Sequence, residues 1–278
     1  GVDVEITAGE VLGLVGESGS GKSTLGRVAA GLLRPDQGRR LWHGEEIAAA
    51  PMAAHGIQMV FQDPSASLNP RMRVAELIAE APRTHGLIAR REQADYVAGL
   101  LRRVGLDPGA ASRFPHQFSG GQRARIGIAR ALAVKPELLI CDEPVAALDV
   151  SVQAQVLNLF GELRDRLGLT YLFISHDLGV VRHLCERVAI LYLGRIVESA
   201  PADELFTSPA HPYTQALIAD APTLKAGKKR FVAIRGELPS PLSPPSGCHF
   251  HPRCPHAFAR CREERPVLRE TAPGHRAA

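Results

Sequence analysis

Long apolar runs are missing from this chain of 278 residues. No window contains the roughly 18 consecutive apolar residues that a membrane-spanning helix needs, and no charged start leads into the apolar segment of a secretory signal. Cysteine is scarce as well, and five residues, an odd number, do not fit a disulfide-bonded secreted domain. We therefore expect a chain that does not cross a membrane by itself and works in a reducing cytoplasm, with the isolated Cys141 and Cys185 in its core.

A large excess of one charge is absent too. The 33 lysine and arginine residues are balanced by 29 aspartate and glutamate residues, which leaves a net charge of +4, and the basic residues are scattered along the chain. Because this distribution is weak evidence for a nucleic-acid surface, no nucleic-acid partner is expected. The chain begins at Gly1 without a methionine and almost immediately enters a predicted strand, so we expect that the true N-terminus is missing.

Residues 16–24 match the pattern G-x-x-x-x-G-K-[ST] of a phosphate-binding loop. They follow the apolar run 11–15 and open a helix-like segment, where backbone N–H groups and the helix dipole attract phosphates. The glycines of this loop are expected to adopt backbone angles closed to other residues. Lys22 is predicted to reach the β- and γ-phosphates, and Ser23 is predicted to ligate Mg²⁺. The alternative is a glycine-rich turn that binds nothing. The predicted nucleotide-binding residues of this loop are Gly16, Glu17, Ser18, Gly19, Ser20, Gly21, Lys22, Ser23 and Thr24.

Segments with strand character alternate along the chain with segments of helical periodicity, which predicts an α/β fold with a parallel sheet and helices on both faces. The predicted strands are 11–15, 57–61, 138–141, 170–174, and the hairpin of 188–192 with 196–199, with 39–44 in a small β layer. The predicted helices are 23–33, 74–81, 91–104, 119–133, 150–167, 178–185 and 211–221. Those between about 63 and 135 form a helical insertion, and the proline- and cysteine-rich stretch 236–261 indicates a small appended module.

Two acidic residues end the apolar strand at 138–141. A carboxylate at the carboxyl end of a buried strand is able to hold Mg²⁺, and its neighbour is able to polarise the water that attacks a γ-phosphate. We assign Asp142 to Mg²⁺ and Glu143 to the general base. The alternative for this segment alone is two solvated acids at a strand end.

A second glycine-rich turn, Phe118-Ser-Gly-Gly-Gln122, opens the helix predicted at 119–133. A helix N-terminus with N–H groups available is another anion site, and the Ser119 hydroxyl is a suitable helix cap. The alternative is a capping device only. The residues predicted to hold a γ-phosphate here are Ser119, Gly120, Gly121 and Gln122.

These segments, together with Gln62, Ala147-Leu-Asp149 and His176, resemble in their order the motifs of the nucleotide-binding subunits of ABC transporters. The resemblance covers roughly residues 1–222 and implies a P-loop NTPase that forms a head-to-tail dimer around two ATP molecules. Each ATP then lies between the phosphate loop of one subunit and the Ser119–Gln122 turn of the other. It also implies that Gln62 senses the γ-phosphate and Mg²⁺, that His176 contacts the γ-phosphate, and that Asp149 couples the two sites. The implied Mg²⁺ ligands are Ser23, Gln62 and Asp142.

This chain departs from that family's pattern at three places. Phe118 replaces the usual leucine, and residues 145–147 lack the serine or threonine that is common there, but neither change removes a phosphate contact. The family stacks adenine on an aromatic residue upstream of the first strand, and residues 1–10 contain none. No adenine-stacking residue is therefore assigned.

The tail is similar to the C-terminal region of oligopeptide and dipeptide importer ATPases, in a form closer to the second of their two ATPases. The similar segments are 210–217, 235–242 and 245–254. The resemblance implies a nucleotide-binding domain at 1–222, a tail at 223–278, and a peripheral position at the cytoplasmic face of the cell membrane. The implied partners are a second ATPase, two membrane permeases and an external peptide-binding protein. The alternatives are import of nickel or another small solute, and a soluble ABC ATPase that acts on nucleic acid or ribosomes.

Three cysteines of the tail, Cys248, Cys254 and Cys261, are interleaved with histidines. Thiolates in such a segment are candidate ligands of zinc or of an iron–sulfur cluster. Their spacings match no common zinc ribbon, and a fourth ligand is not evident. The alternative is a set of reduced cysteines that pack a small tail.

Overall fold

The computed structural model describes residues 1–47, 56–220 and 236–278. Its chain divides into two compact units, the first of Gly1–Ile6, Glu10–Leu25 and Phe173–Ala278 and the second of Thr7–Gly9 and Gly26–Leu172. Within the described ranges, no helix combines the length and the apolar character needed to cross a membrane. The predicted boundary between residues 222 and 223 lies outside the described residues, so the division at that point stays a prediction.

The second unit contains short strands and most of the long helices. Strand β4 pairs in parallel with β5, with Ile57 opposite Leu138 and Val60 opposite Cys141, and β5 neighbours β6. A separate antiparallel pair, β2 with β3, forms the small β layer. The elements are β2 (Leu41–Trp42), β3 (Glu45–Glu46), β4 (Ile57–Val60), α2 (Pro64–Ser67), α3 (Val74–Thr84), α4 (Gln93–Arg103), α5 (Gly120–Leu132), β5 (Leu138–Asp142), α6 (Val150–Leu167) and β6 (Thr170–Ile174), whose last two residues belong to the first unit.

The first unit contains a mixed sheet. In it β1 pairs in parallel with β7, and β7–β8, β8–β10 and β10–β9 are antiparallel pairs. The elements are β1 (Val11–Val15), α1 (Lys22–Ala29), which continues into the second unit, α7 (Leu178–Leu184), β7 (Arg187–Tyr192), β8 (Arg195–Pro201), α8 (Ala202–Thr207), α9 (Pro212–Asp220), α10 (Ala259–Glu263), β9 (Arg269–Ala272) and β10 (His275–Ala277).

Local sequence explains the most regular elements. All five residues of β1 and of β5 are buried, as expected for central parallel strands that are covered on both faces. Helix α6 has the predicted bounds because the Asp149 side chain caps its start and Gly168, at a φ of 65°, ends it in the left-handed conformation. Cys141 and Cys185 are buried as predicted, and burial raises the pKa of Cys185 to about 12.

Three elements differ from their sequence-based prediction. The single strand expected at 39–44 is a hairpin, because His43 and Gly44 both adopt positive φ and turn the chain after two residues. Helix α1 ends at Ala29, since Gly31 has a φ of 80° and cannot continue it. The tail adds an unpredicted pairing, in which Arg276 and Ala277 of β10 lie opposite Ser199 and Glu198 of β8.

Candidate functional site

The predicted phosphate loop connects the buried strand β1 to helix α1, as the sequence indicates. Gly19 and Gly21 have φ values of 81° and 104°, which side-chain-bearing residues rarely adopt. At Gly16 the requirement for glycine comes from limited space and not from the unusual backbone angle that was predicted. A Cβ atom at this position would lie 2.1 Å from the backbone oxygen of Leu191, which is in the paired strand β7. The first glycine of the loop is therefore fixed by a close approach of two backbones.

The lysine of this loop is held in place by the loop itself. Its side chain is only 5% exposed, and Nζ donates to the carbonyl oxygen of Gly16 at 2.7 Å and to that of Glu17 at 3.0 Å. The N–H of Ser20 also donates to the Glu17 oxygen, at 3.2 Å. Of the other predicted loop residues, Ser23 is half-buried and Ser18 and Thr24 are exposed. The loop thus presents a positive charge next to a turn of backbone N–H groups.

The predicted acidic pair lies at the carboxyl end of β5 in the second unit. Asp142 is 2% exposed, whereas Glu143 is half-buried and has a φ of 47°. A glutamate in the left-handed region is uncommon and stores backbone strain, a feature that clusters at functional sites. Because β4 runs parallel to β5, Gln62 reaches the same edge, and its Nε2 donates to Glu143 Oε2 at 3.4 Å.

Magnesium suits the donors at this edge. Asp142 offers a carboxylate and Gln62 an amide oxygen, both of the hard oxygen type that Mg²⁺ prefers. The buried position of Asp142 at the end of a fixed strand leaves its carboxylate little freedom to move. The hydroxyl of Ser23, in the first unit, is a donor of the same type.

The second glycine-rich turn forms a capping box. The Gln122 N–H donates to Ser119 Oγ at 3.3 Å, and the Ser119 N–H donates to Gln122 Oε1 at 3.0 Å, so the predicted role of Ser119 as a cap is confirmed. Gly121 permits close helix packing, since a Cβ there would lie 2.2 Å from Val152 Cγ1 of α6. The glycine at position 121 is thus required by packing, and whether this turn also holds a phosphate stays a prediction.

The two remaining predicted residues lie in loops that follow secondary structure. His176 is exposed after β6 in the first unit, where the N–H of Ser175 donates to the Leu14 oxygen of β1 at 3.2 Å. It therefore lies at the same end of β1 as the phosphate loop. In the second unit, Asp149 accepts from the N–H of Val152 at 3.0 Å and from the Ser151 hydroxyl at 2.8 Å, and these bonds lower the pKa of its carboxyl.

Two residues that contact the phosphate loop were missed by sequence reasoning. The Glu17 N–H donates to the Tyr213 hydroxyl at 2.8 Å, and the Arg253 guanidinium donates to both carboxylate oxygens of Glu17, at 2.7 and 2.9 Å. Both residues lie in segments that the sequence marks as similar to importer ATPases, Tyr213 in 210–217 and Arg253 in 245–254. Their partner was not predictable, because Arg253 and Glu17 are 236 positions apart.

The tail cysteines have no support as a metal centre. Cys248, Cys254 and Cys261 are half-buried and form no disulfide. Burial raises the pKa of the Cys248 thiol, and the thiols of Cys261 and Cys254 raise it further. In the part of the chain that the structure describes, no group of three or more histidine, cysteine, aspartate or glutamate residues is placed to hold a metal ion.

Acid should destabilise the protein through His211. This residue is 4% exposed, and burial lowers its pKa to about 4, although the Glu198 carboxylate opposes the shift. The unfolded chain binds a proton below pH 6.5 and the folded chain does so only near pH 4, so stability falls as pH decreases between these values. From pH 7 to pH 5 the free energy of unfolding should drop by about 2 kcal/mol through this residue.

Denaturant unfolding at both pH values measures this effect. His211→Asn should show a pH dependence smaller by that amount, and His85→Asn, at an exposed position, should behave as the wild type. An unchanged pH dependence in His211→Asn would show that another group causes the acid sensitivity.

The strand, glycine turn, buried lysine and helix described above define a P-loop nucleotide-binding protein. The model of the family described as "ABC transporter" matches residues 1–146, and the model described as "Oligopeptide/dipeptide transporter, C-terminal region" matches residues 197–261. The chain belongs to the ABC transporter family, as an ATP-binding subunit. The predicted family resemblance and fold class are thereby confirmed.

Curated relatives match almost the whole chain. The chain is 52% identical to the oligopeptide transport ATP-binding protein AppF of Bacillus subtilis over 284 residues, which cover 99% of this chain and 86% of that protein. It is also 52% identical to a probable peptide ABC transporter ATP-binding protein of Sinorhizobium fredii, over 96% of this chain and 77% of that protein.

Solved structures agree with the fold. The cbiO1 protein of Clostridium perfringens, described as part of an ABC transporter complex, superposes with a TM-score of 0.66 at 30% identity and covers 74% of this chain and 82% of that one. A dimeric ATP-binding cassette in a post-hydrolysis state with ADP and Pi gives a TM-score of 0.65 at 28% identity and covers 72% of this chain and 89% of that one.

Proposed function

We propose that this chain hydrolyses ATP to drive the import of oligopeptides or dipeptides through membrane permeases. The observation that carries the cargo class is the match of residues 197–261 to the C-terminal region of oligopeptide and dipeptide transporters. Relatives that are named for peptide transport cover nearly the full chain at about half identity, which supports the same cargo. The chain then works at the cytoplasmic face of the membrane, as a peripheral subunit.

The proposed nucleotide site uses the residues that the sequence predicts. Lys22, which its bonds to the Gly16 and Glu17 carbonyl oxygens hold beside the loop, binds the β- and γ-phosphates. Ser23, Gln62 and Asp142 would hold Mg²⁺, which would neutralise phosphate charge. Glu143 accepts the proton of the attacking water, and Gln62 positions its carboxylate through their hydrogen bond.

The second half of each site comes from another ATPase subunit. The glycine-rich turn of one subunit closes over the γ-phosphate that is held by the loop of the other; it consists of Ser119, Gly120, Gly121 and Gln122. His176 also contacts the γ-phosphate. We propose that the partner is a non-identical ATPase, and that the assembly also contains two permeases and an external peptide-binding protein.

Transport in proteoliposomes tests this function. The chain is purified with the membrane subunits that accompany it, and uptake of a labelled oligopeptide, a labelled dipeptide and Ni²⁺ is measured with and without MgATP. ATP-dependent peptide uptake that is lost in Lys22→Ala is the expected result. Uptake of Ni²⁺ without peptide would contradict the cargo, and purification with nucleic acid instead of membrane subunits would contradict the transport function.

A further inference from the structure

Glu17, the second residue of the phosphate loop, is held through its backbone and its side chain. Its N–H donates to the Tyr213 hydroxyl, and its carbonyl oxygen accepts from Lys22 and from the N–H of Ser20. Its carboxylate accepts two hydrogen bonds from Arg253. The position of this peptide therefore depends on two residues from the C-terminal part of the chain as well as on the loop.

The ion pair is a two-point contact whose arginine is buried and whose glutamate is partly exposed. The Arg253 side chain is 4% exposed and the Glu17 side chain 27%, so solvent screens the pair weakly. The paired geometry of guanidinium and carboxylate fixes the orientation of both groups. Arg253 also lies over the ring of Tyr192, 5.9 Å from its centroid, and donates to the Tyr192 hydroxyl at 3.5 Å.

An aromatic cluster, made of Tyr192, Tyr213 and Phe250, supports this contact. Their ring centroids lie 4.6 to 5.4 Å apart, and none of the three is more than 2% exposed. Tyr192 ends β7, Tyr213 lies in α9, and Phe250 precedes Arg253 by three residues in the tail. Packed rings of this kind have few alternative positions, so they keep the Tyr213 hydroxyl and the Arg253 guanidinium directed at Glu17.

A carboxylate in a phosphate-binding loop repels the ligand unless it is neutralised. Arg253 supplies the neutralising charge, and the position of the Glu17 carbonyl in turn fixes Lys22. A loop that is ordered before the ligand arrives loses less conformational freedom on binding and binds more tightly. Both effects act on affinity for the phosphates, and neither requires Arg253 to touch the nucleotide.

We propose that Arg253 and Tyr213 are positioning residues for the phosphate loop, so that α9 and the C-terminal tail set the affinity of this chain for MgATP. This role depends on the nucleotide site proposed above and extends it to a part of the chain outside the nucleotide-binding motifs. The tail then has a function within its own subunit, in the ATP site.

Titration of the full-length chain with MgATP tests this role. Arg253→Gln, which leaves the Glu17 carboxylate without its guanidinium partner, should weaken MgATP binding about tenfold. Glu17→Gln combined with Arg253→Gln should bind more tightly than Arg253→Gln alone, because the repelling charge is gone. Arg260→Gln is the matched control, since Arg260 forms an exposed ion pair with Glu264 in the same tail, and its affinity should equal that of the wild type.

A purely structural role of Arg253 gives different results. It would lower the melting temperature of the nucleotide-free protein and leave the affinity for MgATP unchanged, and that outcome overturns the positioning role. In the assembled transporter, positioning raises the KM for ATP and leaves kcat close to the wild-type value, whereas a general loss of folded protein lowers the apparent kcat. Arg253→Lys, which keeps the charge and loses the two-point geometry, should bind with intermediate affinity.

Two further variants test the positioning role if Arg253→Gln does not fold and test the nucleotide site separately. If Arg253→Gln does not fold, Tyr213→Phe removes only the hydroxyl that binds the Glu17 N–H and should weaken MgATP binding about threefold. Wild-type affinity in Tyr213→Phe then contradicts the positioning role. Lys22→Ala separates the two proposals. If Lys22→Ala binds MgATP with wild-type affinity, the proposed nucleotide site is wrong. If Lys22→Ala loses MgATP binding while Arg253→Gln keeps wild-type affinity, only the role of the tail is refuted.

Discussion

Replacing Glu143 by glutamine should reduce ATP hydrolysis by about 10²- to 10⁴-fold and leave MgATP binding intact. The amide has the size of the carboxylate but cannot accept the proton of the attacking water. Its neighbour Asp142, the predicted Mg²⁺ ligand, is unchanged by this substitution. Hydrolysis by the transporter assembled with its partners and equilibrium binding of MgATP, measured on the same preparation, check both halves of this expectation.

Glu137→Gln is the matched control for this prediction. Glu137 precedes β5, whereas Glu143 follows it, and Glu137 forms an exposed ion pair with His43. Its removal should leave hydrolysis at the wild-type rate. If Glu143→Gln also hydrolyses ATP at the wild-type rate, Glu143 is not the general base, and its left-handed backbone has another origin.

Replacing Gly16 by alanine should destabilise the protein and abolish MgATP binding. The added Cβ would lie 2.1 Å from the Leu191 oxygen and 2.8 Å from Ser20 Oγ, so β1 must move away from β7 or the loop must change its path. Overpacking of this kind costs about 3 kcal/mol or more, which corresponds to a melting temperature lower by about 6 to 12 °C. Thermal unfolding and MgATP titration of the variant measure the two effects.

Gly127→Ala is a suitable comparison, because a Cβ atom at this position in α5 meets nothing within 4 Å. Alanine is favoured over glycine in a helix by about 1 kcal/mol, so this variant should be as stable as the wild type or more stable. A Gly16→Ala protein with the melting temperature and MgATP affinity of the wild type would contradict the close approach between β1 and β7.

Much of the fold was predictable because its signals are local. Asp149 and Gly168 define the two ends of α6. A capping residue bonds to backbone groups in the adjacent turn of its helix, so the signal lies within a few residues of sequence. The alternation of strands and helices likewise predicted a parallel sheet, and the parallel pairing of β4 with β5 agrees with it. The hairpin at Leu41–Glu46 was missed because a turn of two residues leaves little periodicity on either side.

The sequence by itself determined the local motifs of this protein: a lysine after a glycine turn, two carboxylates after a buried strand, and a capped glycine turn on a helix. Each of these is a run of adjacent residues, whose spacing alone fixes which groups lie together. The tertiary structure alone decided why Gly16 must be a glycine and what holds Glu17. Both depend on residues distant in sequence, Leu191 and Arg253, which only packing brings to the phosphate loop.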